Sequence, residues 1–252
     1  MLKAQNIYFS YGKKEVLKDI NIEFEKGSIT SVIGPNGCGK TTLLNIISGI
    51  TKTKNGAVYI DEKNLASMKN KAIAGKIAYL AQQKSDTEMT VRQLVLHGRF
   101  PHTNYSGIYS EYDKDAAVRA MEKLNILNLS HLKLNTLSGG MKQSAFIAMA
   151  LCQETDYILL DEPTTYLDIV NQIKLMKLLK SLAREGKGIV SVLHDIPLAL
   201  SFSDKIAVIS EGRLMAYDTP ENICSSGIIK TVFGVEINKS EYDKSYYFGF
   251  DK

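Results

Sequence analysis

No stretch of this 252-residue chain is apolar for long enough to span a bilayer, and the opening Met1-Leu2-Lys3-Ala4-Gln5 lacks the apolar segment of a secretory leader. The expectation is a protein that meets a membrane only through a partner. Cysteine is scarce. Cys38, Cys152 and Cys224 are scattered, share no metal-ligand spacing and cannot all pair with one another. This excludes a disulfide scaffold and suits a reducing cytosol. Charge of one sign is also missing: a net +4 spread along the chain gives no argument for nucleic acid. There is no internal repeat and no low-complexity linker. What is present, 44% hydrophobic and 23% charged residues, is the composition of a soluble globular protein. The length allows one large domain or a core with an inserted subdomain.

The most informative stretch is Gly34-Pro35-Asn36-Gly37-Cys38-Gly39-Lys40-Thr41-Thr42, which fits G-x-x-x-x-G-K-[ST]. Alone, such a pattern arises by accident in roughly one chain in a hundred of this length, so its context decides. Before it, residues 28–33 form a β-branched run that reads as a buried strand. After it, residues 43–49 have helical apolar spacing closed by Gly49. Strand, glycine-rich turn and helix is the context the pattern needs. Glycines let consecutive N–H groups turn inward without Cβ clashes, and the helix adds the positive end of its dipole. Lys40 then supplies a mobile charge for the β- and γ-phosphates, and the Thr41 hydroxyl is placed for Mg²⁺. A nucleotide site is expected.

Strand-like runs at 2–9 and 16–24 precede this motif, with turns at Tyr11-Gly12 and Lys26-Gly27. Tyr11, at the end of the first run, is placed to face a planar base, although aromatics at strand ends more often pack. Residues 56–60 and 76–80 read as strands, the second ending at Gln82-Gln83. Helical spacing follows over 90–99 and 112–124, with a loop over 105–112 between them, so that 83–154 reads as a helical insertion. Ser138-Gly139-Gly140 precedes its last helix, 141–151; this is a helix cap, and equally a second helix start able to bind an anion. The run 156–161 reads as a buried strand ending in Asp161 and Glu162, at the sheet edge where ligands bind in parallel folds. Asp161 is expected to hold Mg²⁺ and Glu162 to orient or deprotonate a water. A helix over 169–184 leads to a strand over 188–193, then His194, on the same edge and within reach of a γ-phosphate. Asp195 reads as a helix cap. A hairpin turns at Glu211-Gly212, Thr219-Pro220 opens a short helix, and Tyr242, Tyr246, Tyr247, Phe248 and Phe250 read as an edge strand or packing.

In this order the motifs resemble, over nearly the whole chain, the ATPase subunit of an ATP-binding cassette (ABC) transporter. Tyr11 is similar to the family's adenine-stacking aromatic, Gly34 to Thr42 to Walker A, Gln82 to the Q-loop glutamine and Leu137-Ser138-Gly139-Gly140 to the signature. Residues 157–161 with Glu162 resemble Walker B and its catalytic glutamate, Leu167-Asp168 the D-loop, and His194 the switch histidine. Within the family, Thr90-Val91-Arg92-Gln93-Leu94-Val95 followed by Gly98-Arg99-Phe100-Pro101 is similar to importers of iron-siderophores, haem and cobalamin. Four positions depart from the family pattern: Cys38 for serine, Met141 for glutamine or glutamate, Ala81 for proline, and Tyr166 for a small residue.

The resemblance implies an α/β fold, a P-loop NTPase RecA-like core with an antiparallel β edge sheet and an inserted α-helical subdomain. Residues 1–82 and 155–252 would form the nucleotide-binding core and 83–154 the insertion. It implies hydrolysis of ATP with Mg²⁺. Lys40, Gln82, Glu162 and His194 would be catalytic, and Thr41, Gln82 and Asp161 would hold the metal. Tyr11, the loop residues Gly34, Pro35, Asn36, Gly37, Cys38, Gly39, Lys40, Thr41 and Thr42, and Ser138, Gly139, Gly140 and Asp168 would bind nucleotide. The implied partners are a second copy of the chain in a head-to-tail homodimer, two transmembrane permease subunits and, indirectly, an extracytoplasmic substrate-binding protein. The chain would sit at the cytoplasmic side of the membrane, with no nucleic acid involved. A non-transport ABC ATPase and an ATP-gated dimerisation module are the alternatives. Two further expectations concern particular residues. The Cys38 thiol, near Lys40 and a helix N-terminus, should have thiolate character and face the site. Residues 82–101 should dock on the membrane subunits.

Overall fold

Alternating apolar positions near the N-terminus and unbroken apolar runs further on demand two kinds of sheet, one with a single buried face and one buried on both. The computed structural model, which describes residues 1–82, 88–103, 108–240 and 245–249, has both. The elements in order are β1 (Leu2–Tyr11), β2 (Lys14–Phe24), β3 (Ile29–Ile33), α1 (Lys40–Ile47), β4 (Asn55–Ile60), β5 (Lys63–Asn64), α2 (Asn70–Ala74) and β6 (Ile77–Leu80). Then come α3 (Val91–His97), α4 (Glu111–Lys123), α5 (Gly139–Cys152), β7 (Tyr157–Asp161), α6 (Ile169–Arg184), β8 (Gly188–Val192) and α7 (Ile196–Phe202). The chain closes with β9 (Lys205–Ser210), β10 (Arg213–Asp218), α8 (Pro220–Ser225), α9 (Ile228–Phe233), β11 (Glu236–Lys239) and β12 (Tyr246–Gly249).

The larger sheet runs β10-β9-β3-β8-β7-β6. Strands β9, β3, β8, β7 and β6 are parallel, and β10 folds back antiparallel on β9. Every residue of β3, β7 and β8 is buried, which is why these strands read as continuous apolar runs. The smaller sheet, β2-β1-β4-β5, is antiparallel, and its buried face packs with α1 in a second hydrophobic cluster. Because the five parallel strands share one direction, the residues following β3, β6, β7 and β8 gather on one edge: Gly34, Gln82, Glu162 and His194.

The helices named between β6 and β7 pack on one another and on the sheet in a continuous core. Gly98, after α3, lets that helix approach α5, since a Cβ there would lie 2.2 Å from the Met149 carbonyl oxygen. Arg99 is sunk beneath the surface. Its Nε donates to Asp113 Oδ1 at 2.8 Å, and its Nη1 to the Cys152 carbonyl at 2.9 Å and to Glu154 Oε2 at 2.8 Å. The expectation that residues 82–101 form a docking surface therefore fails for Arg99, whose role is to tie α4 to the end of α5; its neighbour Phe100 is exposed. Residues 83–87, part of the same expected surface, lie outside the described residues.

Several elements were not foreseen: β5, α2, α9 and β11. The helix expected over 112–124 is α4, which begins one residue earlier, at Glu111. The C-terminal aromatics do form an edge strand, β12, which pairs with β11 and buries Tyr246; Tyr242 and Phe250 lie outside the described residues.

Candidate functional site

Gly34 leaves β3 under the neighbouring strand, where a Cβ would stand 2.1 Å from the Ile209 carbonyl oxygen, so no other residue fits. Gly39 ends the turn at φ +109 and stands at the start of α1, with no side chain capping the helix. That leaves the uncapped helix start to the loop and its ligand. The Lys40 side chain is buried, and its Nζ donates to the Gly34 and Pro35 carbonyls at 2.7 and 2.9 Å. Lys40 thus stands folded over the turn formed by residues 34–39. The Cys38 thiol is buried in the second hydrophobic cluster, and its Sγ accepts from Lys40 Nζ at 4.0 Å. Burial pushes its pKa up, and the Lys40 charge only partly opposes this. The expected thiolate character and accessibility are overturned: the thiol is buried and its pKa lies above the ordinary value.

Three strand ends converge on one carboxylate. Gln82 Nε2, after β6, donates to Glu162 Oε2 at 2.8 Å, and His194 Nε2, after β8, lies 2.5 Å from Glu162 Oε1. Glu162 itself follows β7 with φ +53, a left-handed conformation that non-glycine residues adopt only when the surroundings impose it. The preceding residue, Asp161, is buried, and among the described residues neither of its carboxylate oxygens has a hydrogen-bond partner. Burial pushes its carboxyl above the ordinary range, opposed by the Thr41 hydroxyl beside it. Buried carboxylate oxygens left without donors, next to a hydroxyl at the start of α1, are a donor set suited to a hard cation. Among the described residues no group of three His, Cys, Asp or Glu side chains could hold a metal on its own. A cation here would complete its shell with water and phosphate oxygens, as Mg²⁺ characteristically does.

Tyr11, the last residue of β1, is 56% exposed and meets Phe9 edge-on, with centroids 4.9 Å apart. It lines an open pocket of about 410 Å³ whose wall also includes Lys14, Val16, Gly37 and Gly212. Gly37 belongs to the phosphate-type loop, so the free ring face and the loop border one space. Pro35, Asn36 and Thr42 complete the loop, with Thr42 buried in the first turn of α1.

The remaining expected residues stand elsewhere. Ser138 caps α5, accepting the Met141 N–H at 3.4 Å, and is exposed together with Gly139. Gly139 and Gly140 pack on the neighbouring loop, where added Cβ atoms would lie 3.2 Å from Tyr166 Cβ and 3.3 Å from Leu167 Cδ2. Asp168 caps α6, accepting from the Asn171 N–H at 2.8 Å and its side-chain amide at 3.0 Å. No described hydrogen bond joins Ser138, Gly139, Gly140 or Asp168 to the group formed by Lys40, Asp161 and Glu162. Sequence reasoning missed Gln143 and Gln172, whose amides hold the loop after Glu162. A lone polar residue on the core-facing side of the apolar helix 141–151 was the available signal for Gln143.

Comparison with known proteins agrees with this geometry. The sequence model of the ABC transporter family matches residues 17–165. The chain is 37% identical over 236 residues to the ferric enterobactin transport ATP-binding protein FepC of Escherichia coli (strain K12), covering 93% of this chain and 87% of that protein. It is 37% identical over 237 residues to the iron(3+)-hydroxamate import ATP-binding protein FhuC of Bacillus subtilis (strain 168), covering 93% and 88%. Among solved structures it superposes on one described as an inward-facing metal-chelate type ABC transporter, with TM-score 0.84 and 27% identity over 99% of this chain and 96% of the other. It also superposes on the dimeric bacterial cassette MJ0796 bound to ADP and phosphate, with TM-score 0.77 and 31% identity over 87% and 99%. A P-loop turn closed by Lys40, acids at the end of a buried parallel strand, and these matches together make the chain a member of the ABC transporter family, as one of its ATPase cassettes.

Proposed function

We propose that this chain binds and hydrolyses MgATP at the cytoplasmic face of a membrane importer and so powers uptake of an iron-siderophore or a related metal chelate. The observation that carries the mechanism is Glu162, shared between Gln82 and His194 and set beside the buried, unpartnered Asp161. Phosphoryl transfer asks a protein mainly for positioning and charge neutralisation. Lys40 and the backbone of residues 34–42 would hold the β- and γ-phosphates, with the adenine laid on Tyr11. Thr41, Asp161 and Gln82 would hold Mg²⁺, which supplies neutralisation of charge on the phosphate oxygens. Glu162 polarises the attacking water, Gln82 and His194 fix its carboxylate, and His194 is on the edge where a γ-phosphate would end.

The wider assembly is part of the proposal. Among the described residues no helix is long and apolar enough to cross a membrane, so a pathway would need separate permease subunits. An extracytoplasmic binding protein would deliver the cargo. The relatives named for ferric enterobactin and iron(3+)-hydroxamate support an iron chelate as that cargo, and the solved dimeric cassettes support pairing of two copies. Residues 83–154 would form the helical unit that meets the permease, inserted into a nucleotide-binding core of 1–82 and 155–252.

One variant tests both halves. Glu162→Gln is expected to lower ATP turnover by about 10²–10⁴ while ATP binding stays intact, and to abolish uptake of labelled ferric siderophore by cells that depend on the chain. Turnover within twofold of wild type removes Glu162 from the mechanism. Unchanged ferric siderophore uptake after deletion of the chain removes the cargo assignment.

A further inference from the structure

Gln143 lies one turn into α5 with its side chain 8% exposed, among residues that are otherwise apolar on the buried face of the helix. A buried amide must find partners. Its Nε2 donates to the Pro163 carbonyl at 3.0 Å, across 20 residues of sequence. Pro163 directly follows Glu162 and has no N–H of its own, so its carbonyl is its only backbone handle. The loop is also held by Gln172 on α6, whose Nε2 donates to the Thr164 and Leu167 carbonyls at 3.3 and 3.1 Å. The loop's own turns are closed by two bonds, Thr165 N–H to Glu162 O and Leu167 N–H to Thr164 O, both 3.2 Å. Within these six residues two side-chain-bearing positions, Glu162 and Tyr166, are left-handed, with φ +53 and +67. Such a loop keeps its shape only while outside groups hold it.

We propose that Gln143 is a positioning residue for Glu162: from α5 it grips the Pro163 carbonyl and so holds the left-handed turn that aims the Glu162 carboxylate between Gln82 and His194. This rests on the reading of Glu162 as the group that polarises water. It gives the helix that begins at Ser138-Gly139-Gly140 a direct mechanical line to the carboxylate, through one hydrogen bond and one peptide unit. A shift of α5 along its axis would move the Glu162 turn without any contact between the signature residues and Glu162.

The test uses the full-length chain and two substitutions. Gln143→Met keeps an unbranched side chain of similar size and removes the donor. It is expected to lower kcat about ten- to a hundredfold, as small misplacements of catalytic groups do, with the KM for ATP within about twofold of wild type. Gln143→Glu can donate to the carbonyl only when protonated. Its kcat relative to wild type is therefore expected to climb as pH is lowered, whereas the ratio for Gln143→Met stays flat. Combining Gln143→Met with Glu162→Gln should add no further loss, because the group being aimed is already gone. If Gln143→Met does not fold, the pH dependence of Gln143→Glu answers the question alone. A folded Gln143→Met protein with kcat within twofold of wild type overturns the positioning role, as does a full additional loss in the Glu162→Gln background. Wild-type turnover in Glu162→Gln itself overturns both readings, and so separates the two failures.

Discussion

Two helix starts in this chain carry the same apparatus for an anion, glycines opening the backbone at the positive end of a dipole, and they differ in everything around it. The start of α1 is enclosed: Gly34 is packed under β9, Lys40 is buried across the loop carbonyls, and the Thr41 hydroxyl stands beside Asp161. The start of α5 is a wall without a room. Ser138 and Gly139 face solvent, with Gly139 against Tyr166 and Gly140 against Leu167 of the same chain. A site built to hold a ligand alone buries its charges and surrounds them. A surface built to close over a ligand held elsewhere stays exposed and rigid. The contrast accords with nucleotide held by α1 of one copy and covered by α5 of the other, two equivalent sites related by a two-fold axis.

The largest expected break in that contrast is Lys40→Ala. Loss of a charged donor to phosphate should weaken ATP binding by about a hundredfold, measured by titration with a fluorescent nucleotide. Ser138→Arg should instead leave ATP binding to the single chain within about twofold and remove turnover. If the two starts serve one nucleotide across an interface, mixing a Lys40→Ala chain with a Ser138→Arg chain confines both defects to one site, and nucleotide is trapped at the other. A chain carrying both substitutions, mixed with wild type, should trap none; trapping in that control but not in the first mixture contradicts the cross-chain arrangement. The smallest effect concerns the far end of α5, where Arg99 donates to the Cys152 carbonyl, at the negative end of the helix, while pairing with Asp113. Burial would push the Asp113 carboxyl up, but the Ser110 hydroxyl and Arg99 outweigh it and hold its pKa at about 2. A folded-state pKa below the unfolded value of about 4 gives stability that is present above pH 4 and lost as pH falls toward 2. Asp113→Asn should flatten the acid side of the stability curve over that interval, read by urea midpoints at successive pH values, with little change in ATP affinity.

Much of this site could be read before the fold was known, because its parts are chemical identities standing at the ends of unmistakable strands. Each of β3, β7 and β8 is a run of five buried residues, and each is followed by the glycine, acids or histidine that matter. What the chain order hides is which of these groups meet. Gln82 and Glu162 are 80 residues apart and bond only because β6 and β7 are neighbours in the sheet. The burial of the Cys38 thiol depends on what packs beneath the loop, which no spacing rule records. Arg99 reads as a surface residue because its acceptors, 14, 53 and 55 residues away, are invisible locally. Helices of five or six residues such as α2 and α9 offer too few positions for a period to show.

The strand order has a dimensional consequence. Strand β8 lies between β3, which carries the glycine loop, and β7, which carries the acids. Adjacent strands stand about 4.8 Å apart, so one interposed strand holds the two banks at about 9.6 Å. Across that spacing the Thr41 hydroxyl, at the start of α1, still stands beside Asp161 at the end of β7. The sheet therefore works as a caliper, and topology sets the spacing between the strand that carries the glycine loop and the strand that carries the acids.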